Sequence, residues 1–560
     1  MPPVNAPEPA MRRAISWRER DGLRGPLELL VLAACSALVA WPILEAAWLP
    51  FVDYPEHLGT IAALHGASDP RFSPYFVVDY PRTQYLLFYF VGDLLAYPFG
   101  IEGAGRATVV LSVASLPWAV ALWLREHGRP MVLGALASGV ALHVFVFWGF
   151  LNYAMGMSLG VLALAALARL VRRPDGVTAV VLALAALATF YAHAQLFAWF
   201  GLMAIVQTAA ALPAAGWARL GRAVAWGLLA AVPSVVGVLV WLRNSGVIER
   251  GVAGTRNGSA AALANAPPSF SPVRQTVEQW LAHSFGSYTD GAGTHLAVAF
   301  FAVALLFAAV RGTGRRGPWT ARTTLPTAPW RTRAPLAAPL PSIGPELVAL
   351  GTFALYLFAP HSYRNIEPIN LRFFPLALAL LPALGPRAAI GGGVRALVSA
   401  ACLALALFGA SVHREHFRQT DVEMGDLAPA LAAIPPGERV MGLIFDRESR
   451  VVPLPTYLHS HQYYQAHVGG LACFGFVEFP ISPIQYRPGA EPPPFQPRFE
   501  WTPESYDHAT YEGSFTFWLV RHREGGRPAR SIFRTGTAPE AVYEGRRWTV
   551  YRRAASVAAP

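Results

Sequence analysis

Gln84 to Phe99 reads QYLLFYFVGDLLAYPF, and the placement of this apolar stretch decides the fold, because it sets the orientation of every segment after it. Asp93 stands in its middle, and a lone carboxylate is costly at the bilayer centre. Arginine placement arbitrates, since short, positively charged loops stay cytoplasmic. With 84–99 lying along the outer interface as an interfacial or re-entrant helix, Arg12, Arg13, Arg18, Arg20 and Arg24 fall inside. So do Arg125 with Arg129, Arg169 with Arg172 and Arg173, Arg219 with Arg222, Arg311 through Arg333, and Arg387 with Arg395. A spanning 84–99 would move the clusters up to Arg395 outside.

Working outward, a helical span needs roughly 20 apolar residues. About eleven segments qualify on that rule: 26–48, 103–124, 131–149, 152–171, 177–192, 194–212, 223–242, 294–311, 344–360, 371–386 and 395–412. The composition agrees, being 54% hydrophobic and only 14% charged over 560 residues, which is too apolar for an ordinary soluble chain. The expectation is an α-helical polytopic membrane protein. All 45 basic residues are arginine, a usage that fits a bacterium with a GC-rich genome and hence a multi-pass protein of the inner (cytoplasmic) membrane. The positive charge lies in short clusters between apolar spans, so it marks topology and not a nucleic-acid partner. The first apolar run is long for a signal peptide and lacks a small-x-small cleavage site, which makes it an uncleaved anchor. Cys35 and Cys402 sit inside apolar segments and Cys473 stands alone, so neither a disulfide framework nor a cysteine zinc site is expected.

The expected organisation is a cytoplasmic tail at 1–25, a transmembrane domain at 26–412 with a large first outward loop at 51–102, and an extracytoplasmic α/β domain at 413–560. Further outward loops fall near 243–293 and at 361–370, whereas 312–343, rich in Arg, Pro and Thr, reads as a cytoplasmic connector. In the C-terminal region 421–433 has helical periodicity, and 439–445, 514–521 and 541–552 read as strands. The proline-rich run 480–503 is an extended excursion that either covers a site or decorates the surface.

The candidate site begins at Phe51 to His57 (FVDYPEH), directly after the first span. Polar groups at a membrane mouth are expensive and tend to mark function. Asp53 is the candidate base, with His57 and Glu56 beside it. A plainer reading makes Asp53 an N-cap and Glu56 its capping-box partner. Asp79-Tyr80-Pro81 echoes Asp53-Tyr54-Pro55, so Asp79 is a reserve carboxylate. Arg372 begins a span on its outer side, where topology gives no reason for arginine; it suits a phosphate or carboxylate, the alternative being an ion pair with Glu367 or a first-loop Asp. His361, Tyr363 and Arg364 fall near the same mouth. Asn152, at an outer turn, contacts substrate or caps a helix, and His193, where 177–212 must break, faces a cavity or forms a hinge. His459, His461 and His467 with Tyr463 and Tyr464 match no standard zinc spacing; a strand would put His459, His461, Tyr463 and His467 on one face, where the tyrosines stack a sugar or the group forms a domain-surface patch. A carboxylate-rich loop serves either as base or as divalent-cation ligand, so the cofactor stays open between a divalent cation and none.

Phe51 to His57, the segment Tyr80 to Gly100 followed by Arg106, and Arg372 together resemble the GT-C-type glycosyltransferases, among them protein O-mannosyltransferases and lipid A aminoarabinose transferases. No paired acidic dipeptide is present, since Tyr54 and Pro55 separate Asp53 from Glu56. The resemblance implies an inverting glycosyltransferase that moves a sugar from a polyprenyl-phosphate donor in the membrane lipid to an extracytoplasmic protein, lipid or glycan acceptor. The alternatives are a transporter or flippase of lipid-linked material, for which matched repeats would be expected, and a non-catalytic membrane scaffold.

Overall fold

The computed structural model describes residues 9–246, 267–310, 343–363, 366–386, 390–495, 499–524, 526 and 530–554. Arg364, Arg387 and, but for its last residue, the arginine-rich connector at 312–343 therefore lie outside the described residues. Among those described, seven helices are long and apolar enough to cross a membrane: Pro26–Glu45, Leu86–Glu126, Leu151–Arg172, Ala194–Ala215, Trp217–Asn244, Ala292–Val310 and Gly392–Met424. Gly176–Ala192 and Gly344–Phe358 are shorter apolar helices beside them.

Two expected spans are broken instead of continuous. The 131–149 stretch is a 3₁₀ helix, Met131–Val140, followed by a helical turn, Val144–Phe147, and 371–386 divides into Phe373–Ala379 and Leu381–Leu384. Both lie mostly buried within the bundle. Non-helical backbone at membrane depth is tolerated where protein covers it. At Gly134 any side chain would meet the backbone of Ala121 at 2.5 Å, so the 3₁₀ helix can press directly on Leu116–Glu126.

The arginines tie helix ends together. Arg129 pairs with Glu346 at 2.7 Å, Arg172 with Glu126, and Arg395 with Glu28. Glu28 opens the apolar part of the first helix, α1 (Pro9–Glu45), so these pairs collect at the end opposite to the one from which Phe51 to His57 emerge. Helix α2 (Tyr54–His65) follows, and then the strand β1 (Phe76–Val78) and the helix α3 (Leu86–Ala114).

In α3 the decisive stretch is helical up to Gly100, which breaks the helix at φ 67° and ψ 175°, a conformation glycine adopts without penalty. At 1.5 Å per residue the part before the break is roughly 21 Å long, short of the roughly 30 Å hydrocarbon core. One face packs on α2, where Gly92 leaves room for Ile61 and Asp93 bonds His65 at 2.9 Å. Phe90, Leu94 and Tyr97 lie exposed on the other face. The segment thus has the length and the two faces of an interfacial helix.

The C-terminal region carries a five-stranded sheet in the order β3-β2-β5-β7-β6, formed by β2 (Glu438–Ile444), β3 (Gly470–Ala472), β5 (Phe517–Arg521), β6 (Glu540–Glu544) and β7 (Trp548–Arg552). Strand β2 is parallel to β3 and β5, and β7 is antiparallel to β5 and β6. The expected single strand at 541–552 is a hairpin, because Asp426 accepts from the Arg547 N–H and the Tyr543 hydroxyl, both at 2.9 Å, and holds the turn. The expected helix at 421–433 is interrupted at Gly425 (φ 70°). The boundary expected at 413 falls inside one continuous helix, Gly392–Met424. The proline-rich run returns to the first loop: β4 (Ile484–Tyr486) pairs antiparallel with β1, Phe76 opposite Tyr486.

Candidate active site

Asp53 is fixed by its main chain. Arg106 caps the end of α1 by donating to the carbonyls of Ile43 (2.8 Å), Ala46 and Ala47 (2.7 Å), as a cation at a helix C-terminus should. Asp421 accepts from the next two N–H groups, Ala47 at 2.8 Å and Trp48 at 2.7 Å. The Val52 N–H then donates to the Phe147 carbonyl at 2.8 Å. Gly149, at φ 92°, presses so closely that a Cβ there would stand 2.5 Å from the Asp53 Cβ. Three separate parts of the chain therefore determine where this one carboxylate sits.

Asp53 occupies the N-cap position of α2, yet its side chain makes no capping hydrogen bond. The carboxylate turns instead to the C-terminal region, where its Oδ1 lies 3.1 Å from His459 Nδ1. Glu56, one helical turn on, brings Oε2 to 3.5 Å from the same nitrogen. On the far side His459 Nε2 makes a long 3.4 Å bond to Glu500 Oε2. Burial pushes the Glu56 carboxyl well above its usual range against the pull of His459. Burial alone would depress His459, but Glu56, Asp53 and Glu500 together hold it well above the usual histidine value.

His459 reaches this place because the 459–467 stretch is a turn and a short helix, Gln462–His467, and not a strand. This corrects the surface-patch expectation: His459, His461, Tyr463 and Tyr464 are all buried. Gly442 in β2 leaves room for the His461 ring, whose Nε2 bonds the Cys473 carbonyl at 2.8 Å. Gln465 donates to the Gly59 carbonyl of α2 at 3.0 Å, and Tyr463 packs edge-on against Trp48 with ring centroids 4.6 Å apart. His467 bonds Glu102 at 3.0 Å.

A cleft of about 280 Å³ opens beside Asp53. It is lined by His57, Asn152, His193 and Arg372, together with Tyr85, Tyr89 and Tyr153, and roofed by Phe476, Phe479 and Ile481 from the approach to the proline-rich run. His57 has both ring nitrogens engaged, Nδ1 with the Tyr89 hydroxyl at 3.0 Å and Nε2 with the Gly149 carbonyl at 2.9 Å. Burial lowers its pKa to about 4, so it is a neutral strut between α2 and the Gly149 turn.

Arg372 is 7% exposed, and no carboxylate pairs with it among the described residues. Its Nη2 donates to the Glu367 main-chain carbonyl at 3.0 Å, its guanidinium lies 4.2 Å from the centroid of the Phe150 ring, and its Nε is buried without a partner. Asn152 Oδ1 and His193 Nδ1 are likewise buried and unpartnered in the same cleft. A desolvated ion costs several kcal/mol. One hydrogen bond to a charged group offsets about 1.5–3 kcal/mol and a buried cation–π contact about 2 kcal/mol, which leaves room for an anion. In place of the alternative ion pair with the Glu367 carboxylate, Arg372 makes a main-chain contact with that residue.

The remaining candidates lie elsewhere. Asp79 accepts from Gln485 at 3.3 Å beside the β1–β4 pair and does not line the cleft. His361 bonds Asn370 at 3.1 Å, and Tyr363 is 42% exposed. Glu500, Tyr85, Tyr89 and Gly149 belong to the site although sequence reasoning passed over them; Glu500 sits in a proline-rich run whose path only the fold reveals.

No family model matches this chain, and no curated protein matches it at a significant level. Solved structures do. The fold matches the crystal structure of ArnT from Cupriavidus metallidurans bound to undecaprenyl phosphate, with a TM-score of 0.55, 14% identity, and coverage of 95% of this chain and 99% of that one. The apo ArnT structure from the same organism gives a TM-score of 0.52 and 12% identity over the same shares. The likeness is one of fold, a multi-helix membrane architecture with an appended sheet. It extends over the two chains nearly end to end.

Proposed function

We propose that this protein is an integral membrane glycosyltransferase that moves a sugar from a polyprenyl-phosphate donor to an acceptor on the extracytoplasmic side. The observation that carries the reading is that Asp53 and Arg372 face one cleft, the first a carboxylate held by main-chain contacts and the second a buried cation with an unpartnered Nε. The undecaprenyl phosphate in the similarly folded ArnT structure supports a lipid phosphate as that cleft's anion.

The reaction this arrangement suits needs one base. A phosphate-linked sugar already has a good leaving group, unlike a glycoside, which requires a second carboxyl as acid. Asp53 accepts the proton of an acceptor hydroxyl or amine as that atom bonds to the anomeric carbon. The bond from that carbon to the phosphate oxygen breaks, its electron pair staying on the phosphate, and the configuration inverts. Arg372 takes up the charge developing on the departing lipid phosphate. His57 keeps α2 and the Gly149 turn in register, and Asn152 and His193 offer polar contacts in the cleft.

The arginine-bearing helix ends then face the cytoplasm, and the site with the C-terminal sheet lies outside the inner membrane, beyond the reach of cytoplasmic nucleotide sugars. A lipid-carried donor fits that placement. The test is native mass spectrometry of the purified protein with undecaprenyl phosphate, alongside transfer from membrane-extracted polyprenyl-phosphate sugars. Lipid-phosphate binding and transfer that both fall in Arg372→Gln support the reading; undiminished binding in that variant overturns it.

A further inference from the structure

We propose that Asp53, Glu56 and His459 form a three-ligand site for a divalent transition metal of the zinc class, with Glu500 holding the imidazole. The three donor atoms lie within 4.8 Å of one another. Asp53 and Glu56 stand three residues apart at the head of α2, a spacing that puts both carboxylates on one side of the helix. His459 arrives from the C-terminal region with its side chain 9% exposed.

Three observations favour a metal over a simple ion pair. First, His459 Nδ1 makes no hydrogen bond, although Asp53 Oδ1 is 3.1 Å away and Glu56 Oε2 3.5 Å away. The nitrogen sits between two carboxylates, within ion-pair distance of both and aligned for a hydrogen bond with neither. Those separations bracket the edge of a tetrahedron of ligands at bond lengths of about 2.0–2.1 Å, which is about 3.3 Å.

Second, Nε2 is engaged by Glu500. A carboxylate on the remote nitrogen holds a proton there, so that a metal displacing the Nδ1 proton would meet that nitrogen's lone pair between the two carboxylates. That is the outer-shell arrangement of metal-bound histidines. The third observation is charge. Asp53, Glu56 and Glu500 converge on one imidazole, and among the described residues no arginine pairs with any of them. Even a protonated His459 leaves the cluster negative, and Glu56 is only 3% exposed.

The donor set selects the ion. One imidazole and two carboxylates suit zinc or a neighbouring first-row ion, whereas calcium takes six to eight oxygens and magnesium keeps several waters. Binding stands on this geometry alone, and only its catalytic consequence rests on the transferase reading. With the metal on one oxygen, Asp53 keeps the other for the acceptor proton, and a fourth coordination position is left for the acceptor's own oxygen.

The test uses the tag-free full-length protein in detergent, stripped with EDTA, dialysed and titrated with Co²⁺. About one equivalent per chain should bind with the visible absorption of a four-coordinate site, and Zn²⁺ should displace it. His459→Gln and Glu56→Gln should each abolish that spectrum with an unchanged melting temperature, and Glu500→Gln should weaken binding about 10–100-fold. Wild-type protein that binds no Co²⁺, or His459→Gln protein that binds as tightly, overturns the metal site and leaves a shared proton in its place. Stoichiometric binding without any sugar transfer, with or without metal, would count against the transferase reading only.

Discussion

Asp53 and His459 come from opposite ends of the chain and meet at 3.1 Å, so the first membrane loop and the C-terminal sheet region share one site. The contact also separates two roles for Asp53 that the sequence left entangled. A capping Asp would bond the N–H groups of its own helix, and this one does not. Replacement by Ser, a good cap, therefore gains nothing from capping. We expect Asp53→Ser and Asp53→Asn to lower transfer about 10²–10⁴-fold, the usual worth of a positioned base, with melting temperatures in detergent near that of the parent. Full activity in Asp53→Ser would restore the cap as its only role.

Arg372 gives a second expectation. Lysine at this position keeps the charge but loses the planar fork and the contact with Phe150, so Arg372→Lys should behave as a loss and not as a conservative change. A charged hydrogen bond is worth about 1.5–3 kcal/mol, which corresponds to roughly a 10–150-fold weaker hold on the lipid phosphate. Steady-state kinetics with varied donor should divide that loss between KM, from the bound phosphate, and kcat, from the charge that develops on it as the bond breaks. A variant with parental KM and kcat would remove Arg372 from the donor site.

What the sequence made legible follows from the range of the interactions involved. Apolar lengths are local signals, and they located most of the helices and the first loop that holds Asp53. Five of the residues named from that loop and mouth, Asp53, His57, Asn152, His193 and Arg372, line one cleft. His459 was hidden because its environment is made by α2 and not by its neighbours in sequence, and a histidine-tyrosine stretch in isolation looks like surface. Breaks at 131–149 and 371–386 were hidden for a related reason: hydropathy reports burial, whereas the helical path there is set by packing against glycine and proline. Asp79 shows the opposite error, since a repeated tripeptide promised a paired carboxylate and its partner proved to be Gln485.

Gly149 tests the main-chain support of the site. Its φ of 92° is unfavourable for any side chain, and an added methyl would collide with the Asp53 backbone, whose nitrogen would lie 2.6 Å away. Gly149→Ala should cost about 1–3 kcal/mol in stability, from strain and overpacking together. Because the collision is with Asp53 itself, transfer should fall further than the loss of folded protein explains. Thermal melts and activity per folded molecule, measured side by side, check this; proportionate losses would mean that Gly149 serves the fold alone.

Gln465 tests the docking of the C-terminal region on the membrane loop. Its side chain spans the two, donating to the Gly59 carbonyl at 3.0 Å and accepting from the Ala472 N–H at 3.3 Å, and it is 4% exposed. Gln465→Leu keeps similar bulk but strands both main-chain groups, at about 1–3 kcal/mol for each buried group left unsatisfied. The helix Gln462–His467 would then sit loosely on α2, and His459 would lose its fixed approach to Asp53. Arg372 lies in the cleft apart from this contact, so donor KM should stay near the parental value while kcat falls. Hydrogen exchange should quicken in 459–467 and at the head of α2 together, since each segment is held by the other. A fall in kcat without that paired loosening would show that Gln465 acts on the reaction by some route other than docking.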